Sequence, residues 1–234
     1  MAFDLADGIN WYVVFLFSTC CHEAAHAWTA SLLGDDTARL GGQVTLDPTP
    51  HIRRAPMGMV VVPILAYFST GSIVGWAHAP YSVAWAKTFP RRCAAMALAG
   101  PLANAAIALL ALLLIRAGLE WNVLQVRPHA RLHEWVTAAA GTSGIWIFAA
   151  KILGITFRLN ILLATFNLLP VPPLDGSNLP LFFLPRAWAE TFWNAVHSPS
   201  ASWFGLIVAY RLLELVMPTV YHIGEAALTA IVPL

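Results

Sequence analysis

From Cys93 to Ile115 the chain runs for 23 residues without one charged side chain, and Arg116 ends the run. A helix of that length covers about 35 Å, enough to cross the roughly 30 Å hydrocarbon core of a bilayer. Composition asks for the same solvent. Only 11% of residues are charged and 59% are hydrophobic, whereas a soluble domain carries about 25% charge. That is too little charge to coat a water-facing surface. In lipid every backbone polar group must be satisfied internally, so the expected fold is an all-α integral membrane protein, a multi-spanning helical bundle. The net charge of +1 gives no field for nucleic acid or acidic substrates. The expected surroundings are the lipid bilayer, with no nucleic-acid partner.

Residues 9–33 form a first long apolar segment, and Gly34 is a plausible stop. Residues 35–56 are rich in turn signals: Gly41-Gly42, Asp47-Pro48 and Thr49-Pro50. Within them Gln43-Val44-Thr45-Leu46 alternates, which predicts a small β element after the first helix. Residues 57–77 are apolar but hold Pro63, Gly71 and Gly75. Arg53 and Arg54 precede them, and Lys87, Arg91 and Arg92 follow. Positive residues favour the cytoplasmic side, and one span cannot put both flanks there. A re-entrant segment resolves the conflict. Residues 117–133 read as an exposed polar loop. Gly141, Gly144 and Gly154 are expected to divide residues 134–169 into an interfacial helix and a span ending near Leu169. Residues 203–217 form a further apolar segment in which Arg211 and Glu214 can pair, and 219–234 read as a short interfacial tail. No internal repeat, separate soluble domain or signal peptide is evident, so residues 1–234 are expected to form a single membrane-embedded domain. The ten Trp are expected to anchor the membrane interfaces. Cys20, Cys21 and Cys93 do not suggest a disulfide framework and read as buried small hydrophobes rather than metal ligands.

Two histidines and a glutamate interrupt the first apolar segment as His22-Glu23-Ala24-Ala25-His26. With eight His in the chain, such a pattern is expected by chance roughly 0.007 times. Residues four apart share a helix face, so both imidazoles can reach one Zn²⁺. Glu23 lies beside that face and can accept a proton from water whose pKa zinc lowers to about 7. Ionisable groups in a membrane helix are costly unless they function. A catalytic zinc needs a third protein ligand. Asp175 is the candidate, because it is the only carboxylate between Glu134 and Glu190. Taken alone, Asp175-Gly176 is equally an ordinary turn. His129 and His133 are also four apart, but Ala130 leaves that pair without a base, and it reads as surface loop. His51 is a candidate lid or supporting group.

His22-Glu23-x-x-His26 together with Asn167-x-x-Pro170-x-Pro172-x-Leu174-Asp175-Gly176 resembles the site-2 protease family of intramembrane zinc metalloproteases, in a compact form without PDZ or nucleotide-sensing domains. Gly34-Asp35, Gly42, Thr45-Leu46, Pro48, His51 and Ala99-Gly100-Pro101-Leu102-Ala103-Asn104 extend the likeness over residues 18–185. Asp47 and Arg53 depart from it, since the family often has Asn and Asp there. The resemblance implies one zinc per chain held by His22, His26 and Asp175, with Glu23 as general base. It implies that Asn167 holds the substrate strand or the developing oxyanion. The implied substrates are transmembrane segments of other proteins, with the site toward the cytoplasmic side. Gly100 and Asn104 are expected to be structural, the first allowing close helix approach and the second bonding across helices. The strand at 43–46 is expected to hold an unwound substrate by β-addition.

Overall fold

The structure is a computed structural model of the chain, and residues 4–71, 73–127 and 135–229 are described. Helix α1 (Leu5–Leu32) starts at Asp4, whose Oδ1 accepts the N–H groups of Ala6 and Asp7 at 2.9 and 3.3 Å. It stops at Gly34, where φ is +98°. The Asp35 N–H then returns to Ala30 O at 2.8 Å, so the glycine closes the helix as the sequence suggests. Two short helices follow, α2 (Thr37–Leu40) and α3 (Pro48–Arg54). Asp47 caps α3 by accepting the Thr49 N–H and hydroxyl at 2.9 and 2.7 Å. Those bonds, backbone first, hold its carboxyl below the usual carboxylate range, and the charge of Arg53 adds to them.

The expected strand at 43–46 does not form; residues 44–46 are bends. The Gln43 N–H bonds Ala38 O, and Thr45 O accepts from the His51 ring, so local partners replace a ladder. The sheet lies later in the chain. Strands β1 (Leu124–Val126) and β2 (Val136–Ala138) pair antiparallel, with Leu124 opposite Ala138. Leu124 packs with Ile115 and covers the far end of the bundle.

Helix α6 (Pro90–Glu120) is the central pillar and remains one helix through Pro101. Its buried stripe includes Ala94, Ala97, Gly100, Asn104, Ala108 and Ala111. Small residues three and four apart let neighbouring backbones come close, the usual device between helices in lipid. Contacts of α6 with α1 link Met96 to His26 and Asn104 to His22, so the two helices are antiparallel. Helix α7 (Gly144–Leu168) runs parallel to α1: Lys151 pairs with Asp7 at 2.9 Å and Asn160 meets Ser18. It is a single helix, not two segments divided by glycine; Gly154 is buried within it. A 3₁₀ helix (Asp175–Phe182), α8 (Arg186–Val196) and α9 (Pro199–Thr229) complete the order. The expected break after residue 217 is absent, and α9 passes through Pro218. The Arg211–Glu214 pair forms at 3.2 Å.

Among the described residues three helices are long and apolar enough to cross a membrane: α6, α7 and α9. Helix α1 has 28 residues, or about 42 Å, but its buried His22, Glu23 and His26 make it less apolar than those three. Residues 57–70 hold a π-helical turn (Met57–Val61) and α4 (Val62–Thr70). They run back along α1, with Ala55 and Met59 packed on Cys20 and the Tyr67 hydroxyl donating to Asp4 O at 2.7 Å. Gly71, with φ +73°, turns the chain. The return strip bonds Gly58 O through the Trp76 N–H at 3.1 Å and reaches Asp35 through the Ser82 N–H at 2.8 Å. The segment therefore enters and leaves at the same end of the bundle, as the charges on its flanks require. Helix α5 (Val83–Thr88) then leads into α6.

Candidate metal centre

His22 and His26 lie on one face of α1, 7% and 6% exposed. Asp175 opens the 3₁₀ helix and meets them across the bundle. Its Oδ2 lies 3.1 Å from His22 Nε2 and 3.3 Å from His26 Nε2, and the two Nε2 atoms are 3.0 Å apart. Among the described residues these three form the group that could hold a metal ion. His129, His133 and Glu134 lie outside the described residues. The cysteines are free; Cys20 and Cys93 are buried, Cys21 is half-buried, and none joins the group.

Hydrogen bonds decide which imidazole nitrogen faces the centre. His26 Nδ1 lies 2.8 Å from Met96 O, a carbonyl that can only accept, so Nδ1 carries the proton. His22 Nδ1 lies 2.6 Å from Asn104 Oδ1. That amide is fixed in turn, because its Nδ2 donates to Asn160 Oδ1 at 2.8 Å and to Ser18 O at 3.3 Å. Asn160 Nδ2 donates to Ser18 Oγ and Thr156 O at 2.8 and 2.9 Å. In its neutral form each imidazole then turns the Nε2 lone pair to the centre, and the two Nε2 atoms converge on a carboxylate oxygen. Asp175 Oδ2 is buried and accepts no hydrogen bond of good geometry. Three electron-rich atoms in such a cluster repel one another unless a cation lies between them. Two His and one Asp suit zinc, and the tied Nδ1 atoms are the supports that zinc-binding histidines require. The residues fit the ion.

Gly100 on α6 faces the same point. A Cβ there would overlap His26 Nε2 and stand 2.6 Å from His22 Nε2. Gly100 gives the close helix approach and Asn104 the bonds across helices that the sequence suggests, and the structure adds that both sit directly against the histidines. Asn160 carried no motif at all. Glu23, 4% exposed, has its Oε2 buried without a hydrogen-bond partner, so no protein donor competes for it. Asn167, half-buried in the last turn of α7, donates one amide hydrogen to Leu163 O at 3.0 Å, which leaves its second hydrogen uncommitted. His51 is 1% exposed and its Nε2 bonds Thr45 O at 3.0 Å, so it braces the loop and lies outside the ligand group.

The profile of peptidase family M50 matches residues 11–198, a stretch that carries α1, α6, α7 and Asp175. The chain belongs to peptidase family M50. This is the site-2 protease family that the two motifs resemble. Among M50 relatives, "Putative zinc metalloprotease YwhC" of Bacillus subtilis is 32% identical over 169 residues, 71% of this chain and 65% of its own. "Putative zinc metalloprotease Rip2" of Mycobacterium tuberculosis is 33% identical over 162 residues, 69% of this chain and 52% of its own. The Rip2 protein of Mycolicibacterium smegmatis is 30% identical over 202 residues, 85% of this chain and 64% of its own. The chain thus matches between half and two thirds of the length of these M50 relatives. No solved structure gave a significant match.

Proposed function

We propose that this chain is an intramembrane zinc endopeptidase that cleaves transmembrane segments of other proteins, with the metal centre toward the cytoplasmic side. The observation that carries the reading is the convergence of two imidazole Nε2 atoms on one carboxylate oxygen inside an apolar bundle, with both Nδ1 atoms tied to other groups. His22, His26 and Asp175 hold one zinc. When bound, zinc polarises a carbonyl and makes water a better nucleophile. Glu23, its Oε2 free, takes the proton from the attacking water and passes it to the leaving amine. Met96 O and the Asn104–Asn160–Ser18 chain hold the two imidazoles in the tautomer the ion needs. The uncommitted amide hydrogen of Asn167 serves the developing oxyanion or the substrate backbone. A charge of +2 against two carboxylates sums to zero, which limits the cost of burying the set. A substrate helix hides its carbonyls in hydrogen bonds, so it unwinds locally before it reacts.

The distribution of charge supports that side of the membrane. Arg39, Arg53, Arg54, Lys87 and Arg92 gather at the C-terminal end of α1, where Arg92 donates to Leu33 O at 3.0 Å. Under the positive-inside rule that end is cytoplasmic.

Glu23→Gln tests the chemistry. The variant is expected to keep about one zinc per chain by elemental analysis, because the ligand set is untouched. Cleavage of a reporter transmembrane segment is expected to vanish. Retained cleavage would falsify the mechanism, and wild-type protein purified without zinc would sink the metal assignment.

A further inference from the structure

Beside the loop that links α2 to α3 lies a cavity of about 340 Å³ lined by Gly41, Gln43, Pro50, Arg53 and Arg54. Gln43 is 2% exposed, yet its Nε2 and Oε1 both lack hydrogen-bond partners. An amide with neither donor nor acceptor satisfied is costly to bury, and natural structures rarely leave one so without a ligand or water to meet it. Its backbone is pinned, since the Gln43 N–H bonds Ala38 O at 3.0 Å. Two guanidinium groups from the last turn of α3 stand over the same cavity. Among the described residues neither enters an ion pair. The charge of Arg53 helps to hold the Asp47 carboxyl below its usual range. Asp47 Oδ1 is already taken by the N–H and hydroxyl of Thr49.

We propose that this cavity is a binding site for a phosphate ester whose phosphate meets Arg53, Arg54 and the Gln43 amide N–H. Planar guanidinium groups bind phosphate oxygens by paired, charge-assisted hydrogen bonds. Gln43 Oε1 needs a donor, so the ester that fits also carries a hydroxyl or amine, as a glycerol headgroup does. The position agrees with a membrane boundary. Leu40, Leu46 and Met57, 80%, 57% and 55% exposed, border this loop with apolar surface, and arginines at such a boundary attract anionic lipid. A soluble phosphate ester offers the same chemistry, and the experiment separates the two sources.

The test uses the full chain, zinc included. In one arm it sits in nanodiscs of phosphatidylcholine, with and without phosphatidylglycerol. In the other it is in detergent with glycerol 3-phosphate. Amide hydrogen exchange over residues 41–54 is the readout. Protection is expected, and Arg53→Gln with Arg54→Gln lowers the apparent affinity about thirtyfold, from roughly fivefold per arginine. Gln43→Leu leaves the charge unchanged and also lowers affinity, which separates a built site from general attraction to an anionic surface. Its unfolding midpoint in phosphatidylcholine alone is expected at or above that of the wild type, because an unpartnered amide has been removed. The arginine variants change exposed residues, so they decide the matter even where Gln43→Leu fails to fold. Protection in the nanodisc arm alone assigns the site to lipid; protection by glycerol 3-phosphate assigns it to a soluble ester. Absence of protection in both arms overturns the site, as does protection that survives the double arginine variant.

Discussion

His22 touches three groups that hold it in place, and only one of them was visible in its motif. Asn104 Oδ1 accepts a hydrogen bond from its Nδ1, Gly100 leaves it room, and His26 shares its target. Supports of this kind are typically worth about ten- to hundredfold in metal affinity. Asn104→Ala is therefore expected to weaken zinc binding by about that factor, measured by competition with a chelator on the folded protein. Asn160→Ala acts through Asn104 and is expected to weaken zinc binding less; the double variant should match Asn104→Ala alone. Additive losses would show that Asn160 acts independently. Gly100→Ala is expected to lose zinc as well, since its methyl would occupy the space of both Nε2 atoms. The candidate ligand cluster was legible, because His-Glu-x-x-His places two imidazoles on one face by helix geometry alone. Asp175 was legible as the lone acid of an apolar stretch. Asn160 was not, because its meaning comes from packing α7 on α6, which joins residues 56 apart in sequence. The available signal was its cost: an Asn inside an apolar helix needs a partner.

At the level of elements, hydropathy found the helices that face lipid and charge found the re-entrant segment. Alternation over four residues misplaced the strand, since a run that short is outweighed by the side-chain bonds of Thr45, Asp47 and His51. The break expected after residue 217 also fails, because losing one backbone hydrogen bond at Pro218 breaks a membrane helix less readily than a soluble one. The re-entrant hairpin depends on two glycines. A Cβ at Gly58 would collide with Trp76 O, and one at Gly75 with Gly58 O. The obstacles are backbone atoms, which cannot swing aside. Gly58→Ala or Gly75→Ala is expected to cost about 1–3 kcal/mol of overpacking strain, read as a lower unfolding midpoint in detergent. An unchanged midpoint in both would mean that the two strips are not in close contact.

The whole molecule is asymmetric in charge, and that asymmetry is the basis of the proposed orientation. At the C-terminal end of α1 are Arg39, Arg53, Arg54, Lys87, Arg91 and Arg92. At the opposite end, Lys151 is neutralised by Asp7 at 2.9 Å, and the Arg158 guanidinium lies over the Trp11 ring. The antiparallel course of α6 puts Arg116 at that second end too, and Arg127 follows β1 there, but among the described residues the balance still favours the first. Because the hairpin of residues 57–77 returns to the end it left, it keeps both of its basic flanks on one side. A crossing would have split them and weakened the bias. In the proposed orientation the metal centre, close to the last turns of α1, lies toward the cytoplasm. Leu5 and Leu40 mark the two ends, 67% and 80% exposed. Cys20 and Cys93 are buried, so they react slowly with a bulky reagent, and Cys21 is only half-buried; replacing all three by Ala gives a clean background. With a membrane-impermeant maleimide on intact cells, Leu5→Cys is expected to label at once and Leu40→Cys only after the membrane is opened. The reverse pattern would turn the molecule over and place the centre on the outer side. Equal labelling of both without opening the membrane would mean that α1 does not cross it, and the transmembrane reading of the first helix would fall while the geometry of His22, His26 and Asp175 stood.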